Sequence, residues 1–95
     1  IAGHEALAQN VEEVVERLLG RFSEQVTRVE VHLSDENGSS KSGAADKRCL
    51  LEVRLAGRQP VSVSELAHTV NAAVTGASHK MIHLLESELG KLRAH

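Results

Sequence analysis

Between Arg48 and Leu55 the chain reads RCLLEVRL, and this stretch limits the available folds more than any other. Cys49, Leu51, Val53 and Leu55 fall on one face of an extended backbone; Arg48, Glu52 and Arg54 fall on the other. A repeat of two marks a strand with one face buried and the other in water. Such a strand needs neighbours to pair with and a layer over its apolar face, which places it at the centre of a sheet.

Other segments supply those neighbours. Thr27–Leu33 alternates in the same way, with Val29, Val31 and Leu33 on one side and Arg28, Glu30 and His32 on the other. Ser34–Asp46 (SDENGSSKSGAAD) is rich in Ser and Gly and holds an Asn37–Gly38 pair. It reads as a long hairpin connection, with its most mobile part at Ser39–Ala45. After a turn at Gly57–Gln59, Pro60 opens a short strand carrying Val61 and Val63. A proline there points to an edge strand, because it has no N–H to give to a ladder.

Helices flank the strands. Leu7, Val11, Val14, Val15, Leu18 and Phe22 recur at helical spacing, which predicts a helix from about Glu5 to Arg21. Its acids come early and its arginines late, as the helix dipole favours. Ser64 is the expected N-cap of a second helix from Glu65 to Leu92. Leu66, Val70, Ala73, Val74, Ala77, Met81, Leu84, Leu85 and Leu92 form its apolar stripe, and Ala73, Gly76 and Ala77 are small enough for close approach to a neighbour. The order helix, strand, strand, strand, helix predicts an α+β domain over residues 1–95: an antiparallel meander with both helices packed on one face.

Composition narrows the function. The only aromatic residue is Phe22, so base stacking cannot be the means of holding a nucleic acid. The net charge is −2, but residues 1–40 set three arginines against eight acids, while residues 41–95 set eight bases against five acids. A polyanion would meet a local patch on an acidic protein. Lys41, Lys47, Arg48, Arg54 and Arg58 are the densest basic group, and Arg48 and Arg54 should share the solvated sheet face. The single Cys49 excludes an intramolecular disulfide and, on the buried strand face, acts as a small hydrophobe and not a nucleophile. A reduced, cytoplasmic setting fits, with no membrane span. His79, His83 and Glu86 have zinc-compatible spacing, yet HKMIH lacks the glutamate of HExxH, and a solvated helix flank is the better reading. Neither a catalytic site nor a metal or cofactor is expected.

Taken in order, several short pieces resemble the family of ribosome hibernation-promoting factors and ribosome-associated inhibitors, once called sigma-54 modulation proteins. They are Ile1–His4, Ala6–Leu7, Val11–Glu13, Arg17–Leu18, Arg21–Phe22, Val26–Thr27, Val31, Leu33–Ser34, Ala73–Val74, Ala77 and Lys80–Met81. The resemblance implies a four-stranded sheet with two roughly parallel helices on one face. The family's first strand would end at Ile1, so most of it is absent from this chain, and Thr27–Leu33 would then carry an open edge. A second copy or a partner strand is one way to cover such an edge.

The resemblance also implies a non-enzymatic factor that binds the small ribosomal subunit near the decoding site while translation is idle. Family members use basic residues along both helices, and Arg17, Arg21 and Lys80 match such positions; Lys47, Arg48, Arg54 and Arg58 join them from local charge alone. Ala8 and Val14, then His83, Glu86 and Ser87, stand where the family is commonly basic. The rival expectation is a protein-binding adaptor that uses the open sheet face or strand edge.

Overall fold

The computed structural model describes the backbone of residues 4–35 and 46–93, and the side chains of residues 9–35 and 46–90. Helix α1 runs His4–Leu19 and tightens into one 3-10 turn at Gly20–Phe22. Strands β1 (Val26–Asp35), β2 (Lys47–Leu55) and β3 (Val61–Ala67) follow, then helix α2 (Val70–Arg93). The described strands form one antiparallel sheet in the order β1-β2-β3. The expected meander and central strand are therefore present. The expected mobility of Ser39–Ala45 concerns residues outside the described ones.

Alternation in β2 does what its pattern predicts. Cys49, Leu51 and Val53 are fully buried and Leu55 nearly so, while Arg48, Leu50 and Arg54 are exposed and Glu52, expected in water with the two arginines, is half-buried. Leu51 stands between Val31 and Val63 in the ladder, and Val53 between Val29 and Val61. α2 lies across this face with Ala73, Val74, Ala77, Met81 and Leu85, and α1 closes the core with Val11, Val15, Leu19 and Phe22. Each large aliphatic contributes up to roughly 1.5–3 kcal/mol on leaving water. Leu19, which the helical stripe of the sequence omits, is buried, whereas Leu18 is half-buried.

On β1 the direction of the side chains is as expected but their cover is incomplete. Val29, Val31 and Leu33 pair with Val53, Leu51 and Cys49, so they share the helix-covered side. Yet Val29 is 37% and Leu33 39% exposed. β1 is an outer strand of the described sheet, and α2 packs across β2 and β3.

The β3–α2 boundary differs from the sequence expectation. Ser64–Ala67 is strand, not the start of a helix: Leu66 pairs with Arg48 and Ala67 with Lys47. The nine residues of β2 hold β3 in the ladder to its end. The helix is capped by Thr69, whose Oγ1 accepts from the Ala72 N–H at 3.1 Å and whose carbonyl accepts from the Ala73 N–H at 3.0 Å. Leu66, placed in the helical stripe by its spacing to Val70, is half exposed on the opposite side of the sheet.

Two local devices complete the frame. Gly57, at φ +71°, makes the β2–β3 turn, where a side chain would be strained. Gly76 marks a close approach of α2 to β3, since a Cβ there would lie 2.6 Å from Glu65 Oε2 and 2.8 Å from its Cγ.

Candidate nucleic-acid interface

Lys41 lies outside the described residues, and the described cations singled out in the sequence do not gather in one patch. Lys47 and Arg48 sit at one end of β2 and Arg54 at the other, roughly 20 Å away at about 3.4 Å per strand residue. Arg58 lies in the turn beyond Arg54. Arg17 is on α1, Arg21 in the 3-10 turn that follows, and Lys80 midway along α2. These last three side chains are all exposed.

Their partners decide how available they are. Arg21 makes an ion pair with Glu86 of α2, and its guanidinium carbon lies 4.7 Å from the centroid of the Phe22 ring, a cation–π contact. Lys80 Nζ is 2.7 Å from Glu65 Oε1 and donates to the Ser64 carbonyl at 2.9 Å. Arg17 has no ion pair among the described residues.

Among the secondary candidates, Lys47 lies 3.0 Å from Asp35 Oδ2 and 3.2 Å from Asp46 Oδ1. The hydrogen bond it donates to Asp35, then the one to Asp46, raises its pKa above the ordinary lysine value. Asp46 is itself buried beside the start of β2, so Lys47 is largely a structural counter-ion. Arg58 is half-buried and donates from Nη1 to the Glu88 carbonyl at 3.2 Å, tying the β2–β3 turn to α2. Arg54 is exposed and stands opposite Arg28 in the register. It and Arg58 line a shallow cleft with Thr27, Gly57 and Pro60.

The uncovered sheet face is mixed in character. Arg28 pairs with Glu30 at 2.9 Å, and His32 Nε2 lies 3.3 Å from the same carboxylate. Leu50 and Leu66 are exposed there beside Arg48. Such a face is partly neutralised and partly apolar, unlike a phosphate track.

Two candidate chemistries can be placed. Cys49 is fully buried, and desolvation pushes its thiol up to about 11, so it does not supply a thiolate nucleophile near neutrality. His79 and His83 are exposed on α2, and His83 Nδ1 lies 3.9 Å from Glu86 Oε1, too long for a hydrogen bond. No group of three or more His, Cys, Asp or Glu suited to a metal is present among the described residues.

Sequence reasoning missed the acids that hold the cations. Arg21 and Glu86 are 65 positions apart, and Lys80 meets Glu65 only because α2 folds back over β3. The close fit of Gly76 against Glu65 had a sequence signal in the small-residue run of α2, though the partner was not legible. The description "Sigma 54 modulation protein / S30EA ribosomal protein" belongs to a family model that matches residues 1–93. No curated protein matches the chain.

Proposed function

We propose that this chain, which belongs to the sigma 54 modulation protein / S30EA ribosomal protein family, is a ribosome-associated factor acting by occupancy and not by catalysis. In this reading it binds small-subunit ribosomal RNA through phosphate contacts of Arg17, Arg21 and Lys80, in the cytoplasm. The observation that carries it is the exposure of all three family-matched cations on the two helices and the turn joining α1 to the sheet. The lack of Trp and Tyr agrees with backbone contacts over base stacking. Lys47, Arg48, Arg54 and Arg58 are secondary contacts, with Arg54 the best placed because it is exposed beside an open cleft. No described helix is long and apolar enough to cross a membrane.

Phosphate contacts release counterions, so affinity falls with salt. Three contacts should weaken binding about 20- to 40-fold between 50 and 200 mM salt, from slopes of roughly 0.7 to 0.9 per phosphate. The test is co-sedimentation with purified small subunits at those two concentrations, comparing the wild type with the Arg17→Ala, Arg21→Ala, Lys80→Ala triple variant. The variant should bind less and lose most of the salt dependence. Equal, salt-insensitive sedimentation of both proteins refutes these contacts. Absence of wild-type binding at either concentration refutes the ribosome reading.

A second reading, a protein-binding adaptor, draws on the outer strand. Val29 and Leu33 are exposed on β1. Val15, Leu19, Val26 and Val31 line a groove between β1 and α1, rimmed by Glu12 and Glu16. A strand added along β1, from a partner or a second copy, would cover them. Sedimentation equilibrium tests the second-copy form: a monomer at high concentration excludes it.

A further inference from the structure

We infer that Glu86 and Glu65 set the affinity of the proposed RNA site, because each carboxylate occupies a cation that RNA must reach. The inference rests on the phosphate-binding reading of Arg21 and Lys80.

Arg21 and Glu86 come from opposite ends of the described fold, the turn after α1 and the second half of α2. A carboxylate and a phosphate both present paired oxygens to the guanidinium fork. The Phe22 ring at 4.7 Å restrains the guanidinium further, so the side chain does not simply swing away to a ligand. Lys80 has three N–H donors and directs two contacts inward, 2.7 Å to Glu65 and 2.9 Å to the Ser64 carbonyl. Glu65 is held in turn: it stands opposite Cys49 in the ladder and packs where Gly76 leaves no room for a Cβ. Arg17, by contrast, has no such partner among the described residues. Two of the three family-matched cations thus carry an internal competitor.

The competitors are weak enough to be displaced. Side-chain exposures are 57% and 46% for Arg21 and Glu86, and 53% and 31% for Lys80 and Glu65. Exposed ion pairs of this kind favour the closed arrangement by a factor of about 1.5 to 5. Removing one carboxylate charge should therefore raise RNA affinity by about that factor, and removing both by about the product.

The experiment measures the dissociation constant for purified small ribosomal subunits at 50 mM salt, using the full chain and its Glu86→Gln, Glu65→Gln and double variants. Glutamine keeps the shape at both positions, and thermal melting followed by circular dichroism checks the fold. Glu12→Gln on α1 is the control for loss of one negative charge, as Glu12 is exposed and makes no ion pair among the described residues. The expected result is a gain at Glu86 and at Glu65 that exceeds the control. It should vanish when Glu86→Gln is combined with Arg21→Ala, and when Glu65→Gln is combined with Lys80→Ala. Gains no larger than the control, or gains that persist without the paired cation, overturn the inference while leaving the ribosome reading intact. Failure of the wild type and of every variant to bind overturns both.

Discussion

Leu50 and Leu51 are the same side chain at consecutive positions of one strand, and the fold treats them oppositely. Leu51 is fully buried between Val31 and Val63, beneath the helices; Leu50 is 38% exposed on the uncovered face. Leu51→Ala removes a packed side chain and leaves a cavity that its neighbours fill only in part. The expected loss is about 3–5 kcal/mol. Leu50→Ala removes atoms that already meet water, and should cost within about 1 kcal/mol. The whole chain is expected to have a stability of roughly 5–14 kcal/mol, so the first change consumes a large share and the second does not. In melting temperature the contrast is about 12 °C or more against a few degrees. With neither Trp nor Tyr present, far-UV circular dichroism during urea titration is the practical readout. The midpoint should move strongly for Leu51→Ala with little change in slope. Equal losses, or a larger loss at Leu50, would refute the assigned face of β2 and the register built on it, since a slip of one residue exchanges the two positions.

Three further outcomes follow from local geometry. Thr69→Ala should cost about 1 kcal/mol by removing the cap of α2, while Ser64→Ala should change melting little; the reverse ranking would put the helix start at Ser64. Gly57→Ala should cost about 1–2 kcal/mol, all of it from the left-handed backbone because a Cβ there meets nothing within 4 Å, and an unchanged melting temperature would count against that turn. Burial raises the Cys49 thiol from 9.0 in the unfolded reference to about 11. Its contribution is whole below pH 9 and is lost as pH rises toward 11, at up to about 1.4 kcal/mol per unit. Cys49→Ala should therefore show a shallower alkaline decline in urea midpoint than the wild type; parallel declines would exclude the thiol as the titrating group.

The parts legible in the sequence are those where one rule acted alone. β2 could be read because its alternation coincides with complete cover on one side. The first helix could be read because Val11, Val15 and Phe22 keep one face across three turns. Ser64–Ala67 misled because two rules compete there. A serine followed by Glu65 and Leu66 looks like a cap and a first turn, but the backbone groups of those residues are taken by the ladder with β2. The exposure of Val29 and Leu33 was not legible, since alternation gives the direction of a side chain and not the extent of the layer above it. The candidate site was half legible. The cations came from the family resemblance and from local charge, whereas Arg21–Glu86, Lys80–Glu65 and Arg58–Glu88 join residues that only tertiary folding brings together.

The helices that pack against each other are the first and last elements of the described chain. That arrangement has a kinetic consequence. The strands and α2 find their partners among near neighbours, but α1 must wait for α2 to be laid across the sheet, because closing a long loop before its contacts exist carries an entropic cost. α1 is therefore expected to dock late, onto a platform of the sheet and α2. Truncating Val11 or Val15 should speed unfolding and leave the refolding rate nearly unchanged, while truncating Leu51 should slow refolding.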